Sequence, residues 1–141
     1  MEFENPSLDT IHDLLSNART IAVVGLSPKE DRPSHGVARA MQGFGFKIIP
    51  VRPAVDSILG ETAYASLTDL PETPDIVDVF RASEHVDKIV DQCIELGAKA
   101  LWLQEGVINE AAAKRAQEAG MVVVMDKCIY KQWIALFGSS A

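Results

Sequence analysis

Charged and hydroxyl side chains concentrate in the segment that follows the first apolar run of the sequence. Residues 25–36 read Gly-Leu-Ser-Pro-Lys-Glu-Asp-Arg-Pro-Ser-His-Gly. Gly25 permits a tight turn, Ser27 and Ser34 offer hydroxyl groups, and Lys29 and Arg32 supply positive charge. A helix that begins at the end of this segment also presents free backbone N–H groups to an anion. These residue types suit a pyrophosphate cradle, and an ordinary loop that ends in a helix cap explains them equally well.

Three later apolar runs also end in residues that could contact a ligand. Arg52 follows the second run, at the place where an NAD-binding unit carries an acidic residue for the ribose hydroxyls. An arginine there favours a phosphorylated ribose, as in NADP or coenzyme A, because a guanidinium pairs with phosphate oxygens. Phe80 and Arg81 follow the third run, and Gln104 and Glu105 follow the fourth, where an amide or carboxylate could bind a base amine or a pantetheine amide. The alternatives are surface arginines, a core phenylalanine and an ordinary turn.

Standard nucleotide fingerprints and catalytic constellations are missing from the sequence. Gly25 and Gly36 fit neither G-x-G-x-x-G nor G-x-x-x-x-G-K-[ST]. His35 is the histidine nearest the inferred site, and no Ser or Cys nucleophile is paired with it in sequence. Cys93 belongs to an apolar helical stripe and is expected in the core, whereas Cys128 is either a buried cysteine at a helix start or a neighbour of a ligand thiol.

Composition and charge restrict the cellular compartment and the classes of binding partner that we expect for this protein. The chain has 141 residues and a formal charge of −7, which argues against nucleic acid and anionic membranes as partners. Its two cysteines fit neither a disulfide framework nor a zinc site, and no apolar stretch could span a bilayer, so we expect a cytoplasmic protein. The length predicts one domain, 1–141, large enough to bury a core. Within it, Lys29, Arg32, Arg52 and Arg81 all follow predicted strands, which indicates a local anion site for one nucleotide cofactor.

The elements that must position these residues alternate between short apolar runs and amphipathic stretches. The predicted strands are 20–25, 47–51, 76–80, 98–103 and 121–125. The pattern predicts an α/β fold with a five-stranded parallel sheet and helices on both faces. Ligands of such sheets bind beyond the carboxyl ends of the strands, where the strand order reverses.

Five helices are predicted around the sheet. A helix over 34–43 follows the first strand, a second is capped by Ser83 and ends at Gly97, and a third is capped by Asn109 and ends at Gly120. Two terminal helices, over 7–17 within segment 1–17 and over 128–138, should pack on this unit. Their expected inward residues, with those of the third helix, are Leu8, Ile11, Leu14, Leu15, Ala112, Ala116, Ala119, Ile129, Trp133, Leu136 and Phe137. Residues 50–75 form a long proline-rich connection, with at most a helical turn at a capping-box pattern of Ser66 and Asp69.

The ordered series of these motifs resembles a known family. Residues 21–28, 49–53, 59–67, 75–81 and 103–106 read IAVVGLSP, IPVRP, LGETAYASL, DIVDVFR and LQEG, and together they are similar to the stand-alone CoA-binding domain proteins. That family is itself similar to the CoA-binding domain of succinyl-CoA synthetase alpha subunits. The resemblance implies a Rossmann-like three-layer sandwich with coenzyme A, or an acyl-CoA, held along the strand ends. Many members have Asn where this chain has Arg52.

The resemblance also assigns candidate contacts to the parts of coenzyme A. It places the diphosphate near Ser27, Ser34, His35 and Gly36, the nucleotide beside 50–53, and the pantetheine arm near Gln104 and Glu105. The full candidate set is Gly25, Leu26, Ser27, Pro28, Arg32, Ser34, His35, Gly36, Val51, Arg52, Pro53, Phe80, Arg81, Gln104 and Glu105.

Three functional hypotheses follow from the sequence. The leading one is a CoA-binding carrier, sensor or regulatory module without catalysis. The second is an NADP-dependent oxidoreductase or another nucleotide-cofactor enzyme, and the third is an interaction domain with a vestigial nucleotide pocket. The sequence names no protein partner.

Overall fold

The computed structural model describes residues 3–138. Residues 1, 2 and 139–141, which the predicted domain 1–141 includes, lie outside the described range. Seven strands are present in the described part of the chain: β1 (Thr20–Val24), β2 (Lys47–Val51), β3 (Ser57–Ile58), β4 (Glu61–Thr62), β5 (Ile76–Val79), β6 (Ala100–Leu103) and β7 (Val122–Val124). The five predicted strands are confirmed as β1, β2, β5, β6 and β7, each within two residues of the expected ends.

A five-stranded parallel sheet has the order β2-β1-β5-β6-β7. The chain builds outward from β1 to β2 and then crosses back to β5 on the other side of β1. Strand order therefore reverses between β1 and β5, and their carboxyl ends open a crevice because the following connections leave in opposite directions. The fold class predicted from the sequence is confirmed.

Helices cover both faces of the sheet. They are α1 (Leu8–Asn17), α2 (Pro33–Gly43), α3 (Val86–Leu96), α4 (Glu110–Glu118) and α5 (Ile129–Phe137). Alternate residues of β1 point to opposite faces, so Ile21 and Val23 join the core under α1, α2 and α5, while Ala22 and Val24 join the core under α3 and α4. None of the helices in residues 3–138 has the length and apolar character needed to cross a membrane.

Helix ends agree with the sequence where local chemistry decides them. The Asn109 side chain accepts a hydrogen bond from the Ala112 backbone N–H at 3.1 Å, which confirms its predicted cap of α4. Gly97 ends α3 in the left-handed conformation with φ of 78°. The predicted cap at Ser83 is wrong. A 3₁₀ turn over Ser83–His85 precedes α3, and the Ser83 hydroxyl instead accepts a hydrogen bond from the Ile108 backbone N–H at 2.9 Å.

Two inward positions predicted from helical spacing are also wrong. Leu8 in the first turn of α1 is 62% exposed, since the buried stripe begins one turn later at Ile11. Ala119 lies just past the end of α4 and is exposed, and Ala113 is the buried neighbour of Ala112 and Ala116 instead.

The proline-rich connection contains structure that the sequence did not predict. β3 and β4 pair as a short antiparallel hairpin, joined through Leu59 and Gly60 with φ of 56° and 78°. The expected single helical turn is present as a 3₁₀ turn, Leu67–Asp69, but Ser66 does not cap it and contacts the side chains of Thr68 and Asp69. The connection crosses back past β2, where Tyr64 pairs with Val51.

Candidate ligand-binding site

The carboxyl ends of β1 and β5 approach each other closely at Gly25. The Gly25 N–H donates to the Val51 carbonyl at 2.9 Å, and its φ of +85° favours glycine. A Cβ atom at this position would lie 2.6 Å from the Phe80 carbonyl oxygen and 2.9 Å from Cδ of Arg81. Glycine is therefore required here both for the turn and for the contact between the two strands that flank the crevice.

The loop after β1 and the start of α2 form one wall of a first cleft, of about 380 Å³. The Ser34 hydroxyl accepts a hydrogen bond from the Ser27 N–H at 3.0 Å, and the Ser27 hydroxyl accepts one from the Lys29 N–H at 3.1 Å. His35 is buried, with Nδ1 3.0 Å from the Ser27 carbonyl oxygen, so its ring N–H donates to that oxygen. These contacts fix the loop against the first turn of α2. The cleft is lined by Gly25, Ser27, Pro28, Lys29, Arg32, Pro33, Ser34, Arg52 and Phe80.

Four cations surround the crevice without acidic partners. Lys29, Arg32 and Arg52 line the first cleft, and Arg81 crosses the strand ends beside Gly25. The salt bridges within residues 3–138 involve His12, Arg115 and Lys131, and none involves these four cations. The Arg52 guanidinium is held by a hydrogen bond to the Leu26 carbonyl oxygen at 3.4 Å. An acidic chain therefore has a local positive field where strand order reverses.

A second cleft, of about 350 Å³, continues the first along the sheet edge. The two clefts share Pro33 and Phe80, so the aromatic ring of Phe80 lies at their junction. Val37 and Val107 give the second cleft apolar walls, and its lining residues are Pro33, Val37, Phe80, Arg81, Gln104, Glu105, Gly106, Val107 and Cys128. We call the two clefts together the carboxyl-edge groove.

Polar groups of the second cleft are held by the elements behind it. The Glu105 carboxylate contacts the Lys131 ammonium on α5 at 3.1 Å. The Gly106 N–H donates to the carboxylate of Asp126 at 2.8 Å, and Asp126 has a φ of 61° in the loop before α5. Cys128 is 8% exposed at the start of α5. Its position beside the groove keeps open the expectation that it neighbours a ligand thiol.

Asp78 is the polar residue that the sequence analysis missed. It lies in β5 among apolar neighbours, is 1% exposed, and accepts a hydrogen bond from Nε2 of Gln104 at 2.6 Å. Burial raises the pKa of the Asp78 carboxyl from 3.8 to about 7, and the Gln104 hydrogen bond lowers it by a smaller amount. An acidic residue inside the apolar run IVDVF was the available signal.

Most of the candidate residues line the groove, and five do not. Leu26 and Val51 are buried and contribute through their carbonyl oxygens, which accept hydrogen bonds from Arg52 and Gly25. His35 is a buried support of the loop, as described above. Gly36 and Pro53 are exposed outside the lining of either cleft. The sequence did not predict that the apolar residues Val37 and Val107 line the groove, because an apolar residue type does not distinguish a groove wall from the core.

A larger hollow of about 700 Å³ lies at the opposite, amino edge of the sheet. It borders Thr20 and Lys47, which begin β1 and β2, and its walls include Phe44 and Trp133, whose rings stack at 3.8 Å between centroids. Helices of a parallel α/β unit direct their N-termini to the carboxyl edge, so this hollow lacks that source of positive potential. We therefore assign the candidate site to the carboxyl-edge groove, although each of its two clefts is smaller than this hollow.

Other predicted roles can be compared with the structure. Cys93 is buried in the core, where burial raises the pKa of its thiol to about 12. His12 on α1 is exposed and stacks on Phe137 with ring centroids 4.7 Å apart. Across the described range, no group of three or more His, Cys, Asp or Glu residues has the arrangement of a metal site.

The donor set of the groove matches the chemistry of coenzyme A. Four unpaired cations and a helix start suit the diphosphate and the ribose phosphate, and an aromatic ring with apolar walls suits the adenine and the pantetheine arm. The fold and this groove define a Rossmann-like α/β protein with a cation-lined crevice at its topological switch point.

Comparison with known proteins defines the family within that class. Residues 19–133 match the family model described as CoA binding domain, and the chain belongs to this family. The resemblance inferred from the sequence motifs is thus confirmed.

Relatives of two sizes match the chain. It is 44% identical to the uncharacterized protein YneT of Bacillus subtilis over 126 residues, covering 89% of this chain and 93% of YneT. It is 29% identical to acetate–CoA ligase [ADP-forming] II of Archaeoglobus fulgidus over 92% of this chain, which corresponds to only 19% of that enzyme. A solved structure described as a hypothetical protein from Pyrococcus horikoshii OT3 has a TM-score of 0.90 and 32% identity, covering 98% of this chain and 100% of that one.

Proposed function

We propose that this protein binds coenzyme A or an acyl-CoA in the carboxyl-edge groove and acts as a non-catalytic carrier, sensor or regulatory module in the cytoplasm. The observation that carries the proposal is the set of four cations around the groove that have no salt-bridge partner within residues 3–138, in a chain of net charge −7. Positive charge concentrated at one cleft attracts phosphate groups and stabilises them when they bind.

We propose one orientation of the ligand in the groove. In the proposed complex, the diphosphate lies at the start of α2 beside Ser27, Ser34 and Arg32, and Arg52 pairs with the ribose 3′-phosphate. Phe80 contacts the adenine or the start of the arm at the junction of the clefts. The pantetheine arm then follows the second cleft past Gln104 toward Cys128, which also lines this cleft.

NADP is the less favoured ligand for two reasons. The loop after β1 lacks the glycine fingerprint that allows a dinucleotide pyrophosphate to approach the backbone. The apolar second cleft has walls of Val37 and Val107, which suit a flexible arm better than a second ribose and nicotinamide. The family to which the chain belongs also supports coenzyme A.

A non-catalytic role is supported by the state of the nearest reactive groups. His35 is buried and its Nδ1 is used by the Ser27 carbonyl, so it is poorly placed as a general base. The Glu105 carboxylate is engaged by Lys131. The ligase activity of the longer relatives belongs to proteins of which this chain spans about a fifth.

Isothermal titration calorimetry on ligand-stripped protein tests the proposal. CoA, acetyl-CoA, a longer acyl-CoA and NADPH are titrated into wild type, Arg52→Glu and the matched control Arg39→Glu, which changes an exposed arginine of α2 outside the groove. We expect CoA or an acyl-CoA to bind wild type and Arg39→Glu alike and Arg52→Glu more weakly. Binding of NADPH without any CoA species would instead favour a nucleotide enzyme, and silence of every ligand would favour a vestigial pocket.

A further inference from the structure

The hydrogen bond between Gln104 and Asp78 fixes one wall of the second cleft. Gln104 follows β6, lines the cleft and is 4% exposed, while Asp78 lies one strand away on β5 and is 1% exposed. Nε2 of Gln104 donates to Oδ1 of Asp78 at 2.6 Å. The contact joins a residue at the groove to a carboxyl group inside the core beneath it.

The chemistry of the pair determines which amide atom reaches the ligand. Above about pH 7 the Asp78 carboxyl is ionised and only accepts hydrogen bonds, so Gln104 turns its NH₂ group toward Asp78. No residue in 3–138 donates to the Oε1 atom of Gln104, and no buried side-chain N or O atom there lacks a partner, so Oε1 lies where the groove reaches it. Gln104 consequently presents an acceptor to the groove and keeps its donor inside.

We propose that Asp78 is a positioning residue that locks Gln104 as an acceptor, so that the groove selects a ligand arm carrying an N–H donor. The inference rests on the proposed function, since the pantetheine arm has two secondary amides and each carries one N–H group. In the proposed complex the nucleotide half of the ligand occupies the first cleft, whose lining does not include Gln104. Asp78 therefore affects recognition of the arm and not recognition of the phosphates.

A purely structural role explains Asp78 poorly. Its neighbours in the sheet register are Val23 on β1 and Trp102 on β6, both buried, and an apolar side chain would pack against them without desolvating a charge. Burying a carboxyl group with one hydrogen-bond partner costs free energy. A role in orienting Gln104 explains why a carboxyl group occupies this position in spite of that cost.

The test compares a complete ligand with its nucleotide half. Calorimetry at about pH 8.5, where the Asp78 carboxyl is ionised, measures Kd for CoA and for adenosine 3′,5′-bisphosphate. The proteins are wild type, Asp78→Asn, Gln104→Met, the double variant, and Gln117→Met on the exposed side of α4 as the matched control. Asp78→Asn keeps the shape but can both donate and accept, so the Gln104 amide loses its fixed orientation. We expect Kd for CoA to rise about three- to tenfold, the effect of one neutral hydrogen bond, with Kd for the bisphosphate unchanged.

The remaining variants distinguish a positioning role of Asp78 from a nonspecific disturbance of the structure. Gln104→Met should show the same selective loss, and adding Asp78→Asn to it should cost no further CoA affinity, because Asp78 acts through Gln104. The inference is overturned by unchanged CoA affinity in Asp78→Asn or Gln104→Met, by equal weakening of both ligands, or by additive losses in the double variant. If Asp78→Asn does not fold, the Kd values of Gln104→Met for CoA and for the bisphosphate still test the inference. If wild type does not bind CoA, the proposed function itself is refuted. If wild type binds CoA and the variants do not follow the expected pattern, only the inference about Asp78 is refuted.

Discussion

Replacing Asp78 by Asn should stabilise the protein at high pH and leave its stability nearly unchanged at low pH. In the native state burial raises the pKa of Asp78 from 3.8 to about 7. The native carboxyl therefore keeps its proton over a range of pH in which the unfolded chain has already released it. Stability contributed by the neutral carboxyl is complete below pH 4 and is lost as the pH rises to about 7.

The size of the effect follows from that shift. A change of about three pKa units corresponds to roughly 4 kcal/mol of unfolding free energy, at about 1.4 kcal/mol per unit. About 3 kcal/mol of this should develop between pH 5 and pH 8. Asp78→Asn removes the titration and retains an acceptor for Nε2 of Gln104, so its advantage over wild type should grow by that amount across this interval.

Urea unfolding at a series of pH values measures the difference. Trp102 is fully buried and lies opposite Asp78 in the register of β5 and β6, so its fluorescence reports loss of the surrounding core. The matched control is Asp56→Asn, which removes one exposed carboxylate without touching a buried site. If the difference in unfolding free energy between wild type and Asp78→Asn stays constant from pH 5 to pH 8, the reasoning is refuted.

Three further outcomes are expected from the groove. Arg52→Glu should weaken CoA at least tenfold more than dephospho-CoA by calorimetry, because only CoA carries the 3′-phosphate, and equal losses would exclude this pairing. Gly25→Ala should lower the unfolding free energy by about 2 kcal/mol more than Gly106→Ala in urea titrations. Both glycines have φ near +85°, but only a Cβ at Gly25 meets the Phe80 carbonyl oxygen, so equal costs would contradict the steric argument. Saturating CoA should slow modification of Cys128 by a thiol reagent, measured by mass spectrometry, while an unchanged rate would place the arm elsewhere.

The sequence predicted the parts of the fold that depend on local periodicity. Five strands, their parallel arrangement and the five helices follow from apolar patterns and end signals such as Asn109 and Gly97. The same patterns located the residues at the strand ends, and most of the candidate set lines the groove. These predictions succeeded because side-chain period and turn chemistry operate over a few neighbouring residues.

Failures occurred where a distant segment decides the environment. Ser83 has the residue type of a helix cap, yet its hydroxyl binds Ile108, twenty-five positions away. Leu8 fits the helical stripe but has no core beneath it. The hairpin of β3 and β4 depends on Leu59 adopting a positive φ, which its residue type does not predict.

The sequence alone therefore determined the class of fold and the cations at the carboxyl ends of the strands, since both follow from the order of residues along each strand and loop. Only the tertiary structure showed that the four cations have no acidic partner in the described part of the chain, that the two clefts join at Phe80, and that Asp78 is buried beneath Gln104. The physical reason is that ion pairing, cavity shape and desolvation depend on which side chains meet in space. For Asp78 and Gln104, that meeting requires β5 and β6 to lie side by side in register.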